Sequence, residues 1–322
     1  MRRVLGAVSV LCLLLAACGD GGSASTIAPV TITTTTAATT TTTAPRRAPI
    51  AAADVEALAG RLTPIVQAHA AAWDARDVEA ILSLYAPETV FEDTGFGDLI
   101  SGEELPGFLR GVFISAPRMR FRLTDLFVGR EGAVAVDDWY DLTLSSHQFT
   151  EDDPIVEADR FDISEGKIVH WTLYYSLATY ETWGGGLESR MADATTLLEG
   201  YAAAWSSGSP DQVADLYAPD AVRRDTLFDD TEEGPGAIAA FAADFFAWYP
   251  GVTWAQTLGF SDSRNSVREP EQVGAVFDVT VPTADGTCPV RIAVILTASN
   301  GKILDERLYY DPETLTTCDL AD

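Results

Sequence analysis

Histidine is nearly missing from this chain of 322 residues: His69, His147 and His170 are the only three. No His-Glu-x-x-His, Cys-x-x-Cys, Gly-x-Ser-x-Gly, phosphate-loop or dinucleotide glycine pattern occurs. Metal, serine-nucleophile and nucleotide chemistry therefore lack any local signature. The acidic residues do not fall at a calcium-loop spacing either. No metal and no cofactor is expected. Basic residues are scarce too, 21 Lys and Arg against 48 Asp and Glu, for a formal net charge of −27. So acidic a surface repels nucleic acid and anionic headgroups, which excludes nucleic acid as a partner. Its simplest reading is a solvated envelope surface rather than an acidic binding site.

Cysteine is limited to four positions, Cys12, Cys18, Cys288 and Cys318. The first two lie in a front segment of distinctive make-up. Arg2 and Arg3 precede an apolar run from Val4 to Leu15, too short to span a bilayer and suited to a secretory signal. It ends in Leu15-Ala16-Ala17-Cys18, which resembles a lipobox. Residues 1–18 thus read as a lipoprotein signal peptide, with Cys18 as the lipidation site. The expected product is an extracytoplasmic protein held by acyl chains on the outer face of a bacterial cell membrane. Residues 19–50 read as a Thr/Pro-rich disordered linker, Thr33 to Thr43 being all Thr apart from Ala37 and Ala38. In an oxidising compartment Cys288 and Cys318 are expected to form a disulfide that pins the C-terminal tail; two free buried thiols are the alternative.

What is present in abundance is repetition. Ala70-Ala71-Ala72-Trp73, Leu84-Tyr85-Ala86-Pro87, Val90 and Asp93 return as Ala202-Ala203-Ala204-Trp205, Leu216-Tyr217-Ala218-Pro219, Val222 and Asp225. Gly166-Lys167-Ile168 with Leu173-Tyr174-Tyr175 returns as Gly301-Lys302-Ile303 with Leu308-Tyr309-Tyr310. Matched blocks at both ends of each copy indicate a duplicated domain, residues 51–185 and 186–322, rather than a solenoid of short repeats.

Each copy begins with a helical stripe, Val55, Leu58, Leu62, Ile65, Val66, His69, Ala72 and Trp73 in the first. Pro64 after Thr63 predicts a break or a fresh start there, with Thr63 as cap. Capping boxes at Ser209-Pro210-Asp211-Gln212 and Ser101-Gly102-Glu103-Glu104 predict further helix starts. Alternating strands follow, about 119–123, 133–144, 155–163 and 167–175, then 252–260, 273–281, 290–297 and 302–310. Helices followed by an antiparallel meander give an α+β class with helices on one face of a curved sheet.

A helix ending in Ala-Ala-Trp, then Leu-Tyr-Ala-Pro-Asp/Glu, Val-x-x-Asp and a closing Gly-Lys-Ile…Tyr-Tyr strand is similar to the SnoaL-like branch of the nuclear transport factor 2-like superfamily. The resemblance covers both copies. It implies two tandem cone-shaped α+β barrels, each with an apolar pocket. Relatives include cyclases, isomerases, epoxide hydrolases and members without known activity, so fold alone does not choose a function. Enzymes of the family resemble one another in using a pocket Asp as acid/base with His, Tyr or Trp donors.

On that footing Asp93 and His170 are the candidate catalytic residues. Trp139, Tyr174, Asp225, Arg307, Tyr309 and Asp311 are the candidate ligand-binding residues. Asp93 and Asp225 also suit turn or cap roles. Arg307, Tyr309 and Asp311 share one strand face, but parity leaves open whether it is inside or outside. His69 reads as core or pocket-lining. For Asp137, Asp138 and Trp139, in mid-strand, an exposed face is the expectation. Three readings follow. The leading one is an envelope protein binding a small, mostly apolar molecule or a protein partner. The second is a cofactor-independent isomerase, cyclase or hydrolase active in one copy. The third is a structural pseudo-dimer within the chain, with filled pockets.

Overall fold

The structure is a computed structural model. It describes residues 51–94, 98–141, 150–151, 154–179, 188–228, 230–262, 270–283 and 286–317. The expected signal and linker segments, with Cys18, therefore lie outside the described residues, as does Cys318.

The first copy runs α1 (Ala52–Ala75), α2 (Val78–Ser83), β1 (Tyr85–Asp93), β2 (Asp98–Ser101), α3 (Leu105–Ser115), β3 (Met119–Gly129), β4 (Gly132–Asp141), β5 (Ile155–Ser164) and β6 (Lys167–Ser176). The second repeats the order as α4 (Glu188–Ser206), α5 (Pro210–Ala214), β7 (Tyr217–Asp225), β8 (Asp230–Glu233), α6 (Gly234–Trp248), β9 (Thr253–Ser261), β10 (Glu271–Thr283), β11 (Gly286–Ser299) and β12 (Lys302–Tyr310). A last helix, α7 (Pro312–Thr317), closes the described chain. This is the expected α+β plan, twice.

Three details depart from expectation. Helix α1 does not break: Pro64 sits inside it. Proline there removes one backbone donor. Val55, Leu58 and Leu62 before it, and Val66, His69 and Trp73 after it, are buried, and that packing carries the helix through. Helix α3 starts at Leu105, although Ser101 Oγ donates to Glu104 Oε2 at 2.8 Å. The capping-box contact forms, but ahead of the helix, because Ser101 still pairs with Val90 across β1 and β2. The segment carrying Val90 and Asp93 is a full strand, and β1 runs parallel to β6 while every other pairing described within this copy is antiparallel. Strand β7 does the same beside β12.

Both sheets turn one face to their own helices. In the first copy Phe91, Phe121, Phe161, Trp171 and Tyr175 pack with Val66, Ala70 and Trp73 of α1. In the second, Phe277, Val294, Leu296 and Leu308 pack with Leu198, Tyr201 and Trp205 of α4. The first half of α1 belongs to this second core, through Val55, Leu58 and Leu62. The opposite faces of the two sheets meet in a third apolar cluster that includes Phe127, Val134, Tyr174, Phe260, Val276 and Tyr309. Strand β6 pairs with β9, β3 with β12, and β11 with β12, so eight strands close a ring around the junction.

Candidate functional site

Strand register sorts the first interior into rows, since directly opposed residues share a face. Phe91, Trp171, Phe161 and Ala133 form one row. Asp93, Leu173, Asp159 and Ala135 form the next. Tyr175, Glu157, Asp137 and Leu123 form the third, and Ile155, Trp139 and Phe121 the fourth. The helix-covered face of this domain therefore carries four carboxylates among aromatic rings. Asp93 is buried, Asp137 is 1 % exposed, Glu157 is buried and Asp159 is fully enclosed.

Burial penalises each charge, and the acids penalise one another. Burial, then the charges of Asp159 and Glu157, push Asp137 well above the usual carboxylate range. Glu157 rises by burial and by Asp159, although the Trp139 indole donates to it. Asp159 is raised by burial to about 7; Trp171 and Asp137 restrain it by hydrogen bonding, and the Asp93 charge adds to the rise. Trp171 Nε1 donates to Asp159 Oδ1 at 2.8 Å. Asp137 and Asp159 hydrogen-bond one another, which two carboxyls can do only when one of them carries a proton. Groups that titrate together in this way share their protons as a set.

A neutral histidine stands beside the cluster. His69 Nε2 lies 2.7 Å from the Tyr85 hydroxyl and accepts from Trp73 Nε1 at 3.0 Å. Burial lowers its pKa to about 3, so the ring is uncharged at neutral pH. With Nε2 accepting, its proton sits on Nδ1.

The second interior has the same frame and opposite chemistry. Register matches Asp137, Glu157 and Asp159 to Phe277, Ile292 and Val294. It matches Phe91 and Trp171 to Arg223 and Glu306. Arg223 Nε lies 3.3 Å from Glu306 Oε1, and both side chains are enclosed. Tyr201 donates to Glu306 at 2.9 Å, and Tyr217 donates to its other oxygen. Tyr201 and Tyr217 occupy the places of His69 and Tyr85 in the repeat.

The expected site residues divide between places. Asp93 and Trp139 lie in the first interior. His170 does not join them: it is on the other face of β6, 3.8 Å from Glu92 and 3.9 Å from Asp162. Parity forces this, because neighbouring Trp171 takes the helix side. Tyr174, Arg307 and Tyr309 face the junction between the sheets. Tyr174 donates to Gln272, and Arg307 pairs with Glu131 and with Asp305, each at 3.2 Å. Asp225 fixes a turn, accepting from Leu227 and Phe228 backbone N–H and from the Tyr310 hydroxyl at 2.7 Å. Asp311 caps α7 through the Glu313 N–H and lines a groove of about 550 Å³ between α1, β3, Arg291 and α7. Cys288 is buried on β11 opposite Val281. Asp137 and Trp139 are inside rather than on the exposed face expected of them, while Asp138 points the other way to Arg122. Glu157 and Asp159 were missed. Their signal was phase: both alternate in step with Ile155 and Phe161, a core periodicity in which a carboxylate is out of place.

The frame is that of cone-shaped α+β barrels, present twice. The SnoaL-like domain family matches residues 66–171 and 198–306, and this chain belongs to that family. No curated protein matches the chain. Among solved structures it is similar to a hypothetical protein with ketosteroid isomerase-like fold from Catenulispora acidiphila, in complex with trimethylamine. There the identity is 21 %, covering 37 % of this chain and 88 % of the other, with a TM-score of 0.32. It is also similar to the BvnE pinacolase from Penicillium brevicompactum, at 14 % identity, 39 % and 91 % coverage and TM-score 0.33. A third is a protein of unknown function from Mycobacterium tuberculosis, at 18 % identity, 38 % and 77 % coverage and TM-score 0.32. Each neighbour spans one copy, and likeness at this level bears on fold, not chemistry.

Proposed function

We propose that the first domain binds a small molecule in its helix-covered interior and exchanges a proton with it through Asp137 and Asp159, without a cofactor. One observation carries the reading: at equal register the second domain has Phe277, Ile292 and Val294 where the first keeps Asp137, Glu157 and Asp159. The frame itself does not need those acids, so their cost in the first copy points to use. A carboxyl titrating near 7 holds comparable amounts of acid and base at neutral pH, the condition in which general acid/base transfer works best. Asp93 supports it by raising Asp159, and the Trp139 and Trp171 N–H groups fix the carboxylates in place. The second domain serves as scaffold.

The test is hydrogen–deuterium exchange at carbon, followed by NMR, for small enolisable ketones in heavy water. The wild type should speed exchange. Asp159→Asn should lose most of that, about a hundredfold on the usual scale of a positioned acid/base, and Asp220→Asn on the exposed surface should change nothing. Exchange equal in wild type and Asp159→Asn sinks the reading.

The chain is also proposed to act at the cell envelope, anchored through Cys18. The support is the Leu15-Ala16-Ala17-Cys18 sequence behind an apolar run. Growth with labelled fatty acid should label the wild type and not Cys18→Ala; equal labelling refutes the anchor.

A further inference from the structure

We infer that the groove between α1, β3 and α7 binds an extended basic peptide of another protein, which adds to β3 as a strand. The groove lies outside the first interior and is independent of the proton transfer proposed there.

An open strand edge lies inside a cavity. Along one edge β3 pairs with β4 from Met119 to Gly129. Along the other only Val128 meets a strand, opposite Tyr310, because β12 ends at that residue. Among the described residues no strand lies beside Leu123 to Phe127 on that side. Those five consecutive residues line the groove of about 550 Å³. Successive side chains of a strand point to opposite faces, so a groove that meets all five runs along the edge, where the main chain offers N–H and C=O groups. From α1 the lining extends from Val55 to Gln67, about 18 Å of helix at 1.5 Å per residue. An extended segment of about five residues spans that length, and strand addition to an open edge is a general mode of peptide recognition.

The lining names the chemistry of the peptide. Its apolar part includes Val55, Ala59, Leu126, Phe127 and Pro312. Its acids are Glu56, Asp125, Asp311 and Glu313, against one cation, Arg291. Arg291 is already matched: it pairs with Asp125, and its Nε lies 3.3 Å from Asp278 Oδ1. The exposed Glu56 and Glu313 and the half-buried Asp311 carry the surplus negative charge. A docked strand turns alternate side chains to opposite sides, so an apolar–basic alternation suits both parts of the lining. An acidic peptide meets like charge and is rejected.

The experiment is calorimetric titration of the full chain, in detergent, with the end-capped peptide Thr-Lys-Val-Arg-Val-Lys-Thr. It should bind at least about tenfold tighter than the same peptide with Glu for each Lys and Arg. Two further analogues keep the charge and are N-methylated at alternate residues, one in each phase. Only alternate N–H groups of a strand face its partner, so one analogue should bind like the parent and the other should lose at least about tenfold. Ala59→Phe, which fills the groove, should abolish binding. Glu56→Lys/Glu313→Lys, altered only at exposed positions, should weaken it at least about fivefold, and decides the matter if Ala59→Phe does not fold. Equal affinity of the two methylated analogues leaves only attraction by charge and overturns the inference. So does a parent peptide that does not bind, or binding that the charge variant leaves unchanged. Binding that appears only in Arg46→Glu/Arg47→Glu would show the chain's own residues 44–50 competing for the groove, and overturns the assignment to another protein.

Discussion

Asp159 shows how one residue sets the trade between stability and use. Its carboxyl is enclosed and raised to about 7, so at pH 8 it is a buried charge with no cation paired to it among the described residues. Val294 occupies the same register position in the second copy. Asp159→Val should therefore stabilise the fold, by about 1–3 kcal/mol at pH 8, the usual cost of taking a polar group out of water. The sign with pH follows from linkage. A carboxyl whose folded pKa lies above its unfolded value binds more protons when folded, so its contribution falls as pH rises from about 4 through about 7. His69, lowered to about 3, acts in the opposite direction below its unfolded pKa of 6.5. The clean measurement is the difference in unfolding free energy between Asp159→Val and wild type. It should grow from pH 5 to pH 8; a flat difference refutes the raised carboxyl. Of the expected site residues, Asp93 and Trp139 reached the interior and His170 did not. Sequence spacing supplied candidates of the right chemistry, but the side each faces depended on pairing register.

At the scale of elements, the two copies use the same devices with different quality. The β5–β6 hairpin turns on Glu165 and Gly166, with φ of 50° and 76°. The β11–β12 hairpin turns on Asn300 and Gly301, with φ of 53° and 70°. Both positions of such a turn need the left-handed region, which Asn tolerates and Glu resists. Glu165→Asn should raise stability by about 0.5–1 kcal/mol. Thermal denaturation of the two proteins decides it, and an unchanged or lower midpoint counts against the turn assignment. Turn residues and alternation made these hairpins legible in the sequence. The parallel seat of β1 against β6 was not legible, because its partners, such as Phe91 and Trp171, are distant in the chain and only the closed sheet brings them together. Pro64 likewise read as a break, since the packing that overrides it comes from two different cores.

The whole described fold is tied together more tightly than two beads on a string. Eight strands close around the junction, and α1 spans both cores with Val55, Leu58 and Leu62 in one and Val66 and Trp73 in the other. Calorimetry should give one cooperative transition whose calorimetric and van't Hoff enthalpies agree. Two resolved transitions would show that the copies unfold apart.

The sequence by itself determined the duplication, the α+β class, the helix stripes, the hairpin turns and the acidic surface. All of these are local patterns or counts, written in residues near one another. The tertiary structure decided which face of each strand is enclosed. A one-residue change of phase moves every side chain to the other side, and only the meeting of the two sheets, with helices over their far faces, selects the phase. That choice placed Tyr174, Arg307 and Tyr309 at the junction, left His170 among ion pairs, and gathered Asp137, Glu157 and Asp159 where their proximity shifts their acidity.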